Sequence, residues 1–98
     1  MNDPFAALGH PVRREVLHLL RKKPLPAGRI AEHFDIAKPT LSGHLAVLKA
    51  AGLVSAERSG TRILYRLNLP ALEEAISLLS DIVQAKRIRM SWAFDRSL

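Results

Sequence analysis

The stretch "FDIAKPTLSGHLAVLKAAGLV", residues 34–54, decides the fold. Within it Leu41, Leu45 and Leu48 recur at helical spacing. At about 100° per residue they fall within about 60° of one another, so they form one apolar stripe. The pattern predicts a helix that begins near Lys38 and buries this stripe in the core.

The opposite face of that helix carries small residues instead of the Glu and Lys that a solvated face usually shows. Its members are Pro39, Gly43 and Ala46 at the centre, Thr40 and Val47 beside them, and Ser42 and His44 on the two shoulders. Glycine inside a helix is about 1 kcal/mol less favourable than alanine. Gly43 therefore favours the close approach of another surface, which is either a DNA groove or another helix of the same protein.

The residues before this helix predict a helix-turn-helix over about 27–50. "AGRIAEHF", residues 27–34, has helical apolar spacing, and only a three-residue turn, 35–37, separates it from the helix at Lys38. Further upstream, residues 5–8 are expected to form a first short helix. Pro11 is expected to open a second helix, which Pro24 and Pro26 end.

After Gly52 the apolar period changes from helical to alternating. Ile63, Tyr65 and Leu67 alternate with more polar neighbours, and Ser59-Gly60 lies between the two runs. This predicts a β-hairpin over about 53–67. Arg58 and Arg62 lie near its tip, where they are either merely solvated or part of a wing that touches DNA.

A last helix over about 70–90 carries two apolar rows. The main row comprises Leu72, Ala75, Ile76, Leu79, Ile82 and Val83, and the second comprises Leu78 and Ile88. So small a domain has room in its core for one row, so the pattern predicts a homodimer interface formed by Leu72, Ile76, Leu79, Ile82 and Val83 with Phe5 and Leu8 of the first helix. Trp92 and Phe94 either extend that interface or lie on the surface.

Length and composition fit one small domain, 1–98, that gains from self-association. The 98 residues contain no cysteine, which excludes disulfides, thiolate metal sites and a catalytic thiol. The formal net charge is +6, and residues 1–69 hold eleven Lys and Arg against five Asp and Glu. This basic balance favours a polyanion partner, nucleic acid before membrane. Without a leader or spanning segment, a soluble cytoplasmic protein is expected.

The chain resembles the ArsR/SmtB family of winged-helix repressors over roughly residues 5–83. The matching pieces are "ALGHPVRREVLHLL", "IAEHFDIAKPTLSGHLAVLKAAGLV" and "ERSGTRILYRL". The Lys-Pro-Thr opening and the absence of cysteine are most similar to the SdpR-type autorepressors of that family. The resemblance implies a mainly α fold with a small β-hairpin, a winged helix-turn-helix that forms a homodimer.

The resemblance also implies a sequence-specific repressor that binds double-stranded DNA at a near-palindromic operator, often that of its own gene. Each helix at Lys38 would enter a major groove, with half-sites about one helical turn apart or a multiple of it. The implied DNA contacts are Lys38, Thr40, Ser42 and His44, with Gly43 allowing close approach, and Arg58, Arg62 and Arg13 supplying backbone electrostatics.

Two positions depart from the family pattern. Ala37 replaces the usual Ser or Thr, so the side-chain cap is missing and a nearby group such as Asp35 would have to serve. Gly43 replaces a larger polar residue, so a base-edge contact from this position is not implied, and whether the departure changes the operator preference stays open.

Metal sensing, cofactors and catalysis are not expected. "RIAEHFDI" lacks the Cys-x-Cys pair of the family's soft-metal site, and residues 70–90 contain no histidine for its last-helix site. His18 and His33 are expected to face solvent, and His10 to cap the second helix. A nucleophile constellation or phosphate loop is also missing. The alternative function is a winged-helix adaptor or antitoxin-like module that binds protein.

Overall fold

The computed structural model describes residues 3–96, and their side chains as far as Gln84. The elements in chain order are α1 (Pro4–Ala7), α2 (Pro11–Leu20), β1 (Leu25–Pro26), α3 (Ala27–Ala31), α4 (Lys38–Ala50), β2 (Val54–Ser59), β3 (Arg62–Leu67) and α5 (Leu69–Arg96). This is a helical fold with a small antiparallel sheet, and α3, α4 and the β2–β3 ribbon form a winged helix-turn-helix.

The first two helices begin at side-chain caps followed by proline. The Asp3 carboxylate accepts from the Phe5 N–H at 2.9 Å, and His10 Nδ1 accepts from the Val12 N–H at 3.1 Å. Pro4 and Pro11 then occupy the first turns, where a missing N–H loses no helical hydrogen bond. The predicted cap at His10 is confirmed.

The helix-turn-helix lies where the sequence predicts it, but α3 is shorter than expected. It ends at Ala31 instead of Phe34, because the N–H groups of His33 and Phe34 bond to carbonyls three residues back and tighten the last turn. Helix α4 begins at Lys38 as predicted.

A Schellman motif ends α4 and fixes the path into β2. The Gly52 N–H bonds to the Lys49 carbonyl and the Leu53 N–H to the Leu48 carbonyl, both at 3.0 Å. Gly52 has φ +77°, a conformation that favours glycine, so the predicted C-cap is confirmed.

The sheet has three strands, whereas the sequence predicted a two-stranded hairpin. Strand β1 pairs antiparallel with β3, Leu25 opposite Tyr65 and Pro26 opposite Leu64, in the order β1-β3-β2. A strand of two residues has no alternation to detect, and Pro26 is tolerated in it because β1 is an edge strand.

The hairpin turn lies one residue later than predicted. Ser59 pairs with Arg62, so the loop is Gly60-Thr61 and not Ser59-Gly60. Gly60 has φ +64° and Thr61 has a negative φ, as in a type II′ turn, which needs glycine at its first central position.

The core lies between α2, α3, α4 and the root of the wing. Its fully buried side chains include Val16, Ile30, Leu48 and Leu53. Leu41 and Leu45 are buried with Leu48, so the predicted apolar stripe of α4 is confirmed.

Helix α5 leaves this core after its second turn. Asn68 connects its start to the end of α4, because its side chain donates to the Gly52 carbonyl at 2.9 Å and accepts from the Ala71 N–H at 3.3 Å. Ala75 is buried, but every residue from Ile76 to Gln84 is exposed. Among the described residues, none of the helices is long and apolar enough to cross a membrane.

Candidate nucleic-acid interface

The face of α4 opposite the core is open to solvent. All six of Pro39, Thr40, Ser42, Gly43, Ala46 and Val47 are exposed. A Cβ built on Gly43 would have no heavy atom of the described chain within 4 Å, apart from its chain neighbours and the adjacent backbone of its own helix. In the described part of the chain this face packs against no other helix, so the alternative of an internal helix contact at Gly43 is wrong there.

The first turn of α4 has no side-chain cap. Ala37 at the N-cap carries no polar atom, and Asp35 makes no hydrogen bond with the part of the chain that the structure describes, so the expectation that Asp35 caps the helix is wrong. The N–H groups of Lys38 and Thr40 are left for an outside acceptor, and a phosphate is a favourable one at a helix N-terminus. Both side chains are exposed.

The two shoulders of the open face differ. Ser42 lines, with Lys38, a cleft of about 200 Å³ between α3 and α4. His44 is half-buried and packs against the start of α2, where its ring lies 4.3 Å from that of His10, centroid to centroid, at an interplanar angle of 46°.

Arg13 completes the cluster at His44. Its Nη1 donates to His44 Nδ1 at 3.1 Å, its Nε to the Ala7 carbonyl at 2.6 Å and its Nη2 to the Ala6 carbonyl at 3.3 Å. All three guanidinium nitrogens thus have partners, and the α1–α2 corner is tied to α4.

His44 is held in its neutral form. Partial burial of the imidazole, then the nearby His10 and Arg13, lower the pKa of His44 below its ordinary value of 6.5. At neutral pH the ring therefore carries one proton, and its one nitrogen lone pair is able to accept the hydrogen bond from Arg13.

The wing presents two arginines on opposite faces of its ribbon. Arg58 lies opposite Ile63 in the register and shares its face, while Arg62 lies opposite Ser59 and shares the other. Both are exposed, and neither forms a hydrogen bond or ion pair with another described residue. By contrast, Arg66 lower on the wing is paired with Glu57 at 2.8 Å.

The residues predicted for the dimer interface fall into two groups. Leu8 and Leu72 are half-buried and pack against the monomer's own core. Exposed are Phe5, Ile76, Leu79, Ile82 and Val83, with Ile82 67% exposed. Leu78 of the second row is also exposed, while Ile88, Trp92 and Phe94 lie outside the residues whose side chains are described.

Metal ligands do not converge in the described part of the chain. There, no three His, Asp or Glu side chains are arranged to hold an ion. His18 and His33 are exposed, as predicted. No sequence pattern predicts that His10 and His44 meet, but the Nδ1 of each already accepts a hydrogen bond.

Val47 is 41% exposed on the open face of α4, where the sequence places it, although it is not among the predicted DNA contacts. One feature of the site was missed at the sequence level. The bond between Arg13 and His44 joins residues 31 positions apart, and a local pattern cannot show such a contact.

Comparison with known proteins gives a consistent family. A helix-turn-helix domain model matches residues 8–55. The transcriptional repressor SdpR of Bacillus subtilis (strain 168) is 42% identical over 83 residues, covering 85% of this chain and 92% of that protein. The repressor SmtB of Mycobacterium tuberculosis (strain CDC 1551 / Oshkosh) is 41% identical over 61 residues, 62% of this chain and 45% of that protein.

A solved structure shows the same architecture. The ArsR-like transcriptional regulator from Rhodococcus sp. RHA1 superposes with a TM-score of 0.78 at 29% identity, covering 89% of this chain and 82% of that one. Shared sequence along most of the chain and a shared winged helix-turn-helix together place it: the chain belongs to the ArsR/SmtB family of transcriptional repressors.

Proposed function

We propose that this protein is a sequence-specific DNA-binding repressor that binds a near-palindromic operator as a homodimer. It acts without a metal ion or catalytic step, in the cytoplasm, and the operator of its own gene is the first candidate target. The repressors to which it is similar support the DNA-binding part of this proposal.

The open face of α4 is the observation that carries the proposal. A helix that enters a major groove needs an exposed face with groups that can hydrogen-bond to base edges, and the face of α4 exposes Thr40 and Ser42 beside Gly43. Gly43 has open space around it among the described residues, so no contact there explains a residue that weakens the helix. A groove wall that approaches the backbone at Gly43 supplies one.

Charge and helix geometry support the placement of the DNA backbone. The uncapped first turn of α4 offers N–H groups to one phosphate, and Lys38 stands beside them. Arg58 and Arg62 at the wing tip are available to others. Each phosphate contact releases condensed counterions, so binding should weaken steeply with salt.

The exposed apolar stretch of α5 supports a homodimer. This stretch extends beyond the monomer's core and exposes Ile76, Leu79, Ile82 and Val83. Contiguous exposed apolar surface of this kind marks an interface. A second copy of the chain offers the same stripe, so the two helices can pack about a two-fold axis. That symmetry is what a near-palindromic operator matches.

Fluorescence anisotropy tests the proposal. The purified, chelator-treated protein is titrated with duplex from upstream of its own gene and with a scrambled duplex, over a series of salt concentrations. The expected result is tighter binding to the upstream duplex, a steep salt dependence and no change on adding zinc.

Each departure from that result has a distinct meaning. Equal, weak binding to both duplexes would contradict the proposal that the protein represses its own gene. If selection from a randomised pool then also yielded no preferred sequence, the protein-binding module would replace the repressor. Zinc-dependent binding would contradict only the claim of metal independence.

A further inference from the structure

The contact between Arg13 and His44 fixes which nitrogen of the imidazole carries the proton. A guanidinium has hydrogen-bond donors and no acceptor. The 3.1 Å bond from Arg13 Nη1 to His44 Nδ1 therefore requires Nδ1 to be the acceptor. Since the ring is neutral at pH 7, its single proton lies on Nε2.

The Nε2–H of His44 is available to an outside partner. It makes no hydrogen bond with the residues that the structure describes. In the same part of the chain, no side-chain nitrogen or oxygen is buried without a partner. His44 Nε2 therefore reaches solvent, on the shoulder of the open face of α4.

We propose that Arg13 is a positioning residue that holds His44 in the Nε2–H tautomer, so that His44 donates to an acceptor on a base edge in the major groove. The acceptors of that groove are purine N7, guanine O6 and thymine O4. This inference rests on the proposed function, because it needs α4 to enter the groove.

Loss of the bond would change what His44 reads. Without Arg13, the neutral ring is free to place its proton on either nitrogen. The Nδ1–H tautomer would present Nε2 as an acceptor, which suits the amino groups of adenine and cytosine. Arg13 thus sets specificity through His44 and not through a base contact of its own.

This role differs from the phosphate contact that the sequence suggests for Arg13. All three of its guanidinium nitrogens have protein partners, and the residue is half-buried. If Arg13 contacted a phosphate, its removal would lower the affinity for every duplex and would reduce the salt dependence of binding. If Arg13 positions His44, its removal would lower the discrimination at one base pair.

The neighbouring Arg14 gives a matched control. Its Nη1 donates to the Leu8 carbonyl at 2.7 Å, so it also ties α2 to the end of α1, but it is not bonded to His44. Arg14→Ala removes the same charge and a similar backbone contact while leaving the imidazole untouched.

NMR on the free protein tests the tautomer directly. Long-range ¹H–¹⁵N correlation of ¹⁵N-histidine-labelled protein near pH 7.5 distinguishes protonated from unprotonated ring nitrogens. His44 is expected as the Nε2–H tautomer in the wild type and in Arg14→Ala, and as a mixture in Arg13→Ala. A wild-type Nδ1–H tautomer, or an unchanged Nε2–H tautomer in Arg13→Ala, would overturn the proposal.

Binding then tests the specificity. The wild type selects a duplex from a randomised pool, and each base pair of that duplex is substituted in turn. In Arg13→Ala, the ratio of affinities for the selected and the substituted duplex is expected to fall roughly tenfold at one base pair in each half-site. Arg14→Ala is expected to keep the wild-type ratio. In a His44→Ala background, Arg13→Ala should cause no further loss at that base pair.

Two other results would distinguish a failure of the positioning role from a failure of the proposed function. An equal loss on all duplexes in Arg13→Ala, with a smaller salt slope, would assign Arg13 to a phosphate and overturn the positioning role. If the wild type selects no sequence at all, the proposed function fails, and with it the base-reading role. The NMR result then reports only whether Arg13 sets the tautomer.

Discussion

Two exposed faces of this protein, on α4 and on α5, are built from opposite kinds of residue. The face of α4 has Pro39, Gly43 and Ala46 at its centre. The exposed stretch of α5 has Ile76, Leu79, Ile82 and Val83. Both are free of cover in the monomer, so exposure alone does not distinguish them.

The difference in side-chain size indicates which partner each face fits. Small residues allow a rigid, polar surface to approach the helix backbone, but they offer little apolar area to bury. Large aliphatic residues gain stability only when another apolar surface removes them from water, at about 25 cal/mol per Å². The α4 face is therefore suited to a DNA groove, and the α5 face to a second copy of the chain.

The largest expected effect comes from placing charge on the α5 face. The double variant Leu79→Glu, Ile82→Glu should form monomers, because a dimer would bury the new carboxylates among aliphatic side chains. Operator affinity should fall about 10²-fold or more, since two linked half-site contacts become one. Sedimentation velocity and anisotropy measure the two effects.

A single carboxylate added on the other side of α5 controls for the repulsion that each new charge exerts on DNA. With a rotation of about 100° per residue, Ser77 lies on the side of α5 nearly opposite the apolar stripe. Ser77→Glu should therefore leave both the dimer and operator binding close to wild type. A monomeric double variant that still bound the full operator like the parent would remove the dimer from the mechanism.

The second effect separates stability from binding at Gly43. Gly43→Ala should raise the free energy of unfolding by up to about 1 kcal/mol, because alanine favours the helix and nothing in the described chain obstructs its methyl group. Operator binding should weaken by about 1 to 3 kcal/mol if a groove wall lies against this position. Urea unfolding measures the free energy of unfolding, and fluorescence anisotropy on the same preparation measures the operator affinity. Unchanged affinity would show that the α4 backbone does not approach DNA there.

The third effect concerns the wing and is electrostatic. Arg58→Ala and Arg62→Ala should each lower the slope of log K against log salt by about 0.9 if each arginine neutralises one phosphate. The two lie on opposite faces of the ribbon, so both contribute only if the wing tip enters between phosphates. A change in one variant alone would mean that the ribbon lies flat on the backbone. Arg66→Ala is the control, because Arg66 is already paired with Glu57.

The sequence predicted those parts of the fold that depend on neighbouring residues. The buried stripe of Leu41, Leu45 and Leu48 follows from helical spacing, and the cap at Gly52 from the left-handed conformation that a Schellman motif requires. The open face of α4 follows from the same spacing read on the opposite side.

Contacts between distant residues could not be predicted in this way. Strand β1 exists because Leu25 and Pro26 meet β3 about 40 positions later, and two residues carry no periodic signal. The same limit applies to Arg13: its sequence neighbours predict a basic helix start, whereas its partners are the α1 carbonyls and His44. The predicted cap at Asp35 failed for a related reason, since proximity in sequence does not fix a side chain's direction.

The smallest effect is a pH dependence of stability that originates at His44. Its pKa is lowered in the folded protein, so on acidification the unfolded chain takes up a proton first, near pH 6.5. The wild type should therefore lose stability as the pH falls from about 7.5 to about 5.5, above the usual range of carboxylate titration. The loss arises because burial of the imidazole, then the nearby His10 and Arg13, disfavour the charged ring in the folded protein. His44→Gln should lack this component, which urea unfolding at fixed protein concentration measures. An equal loss in the variant would assign the pH dependence to another group and leave the α4 shoulder insensitive to protonation.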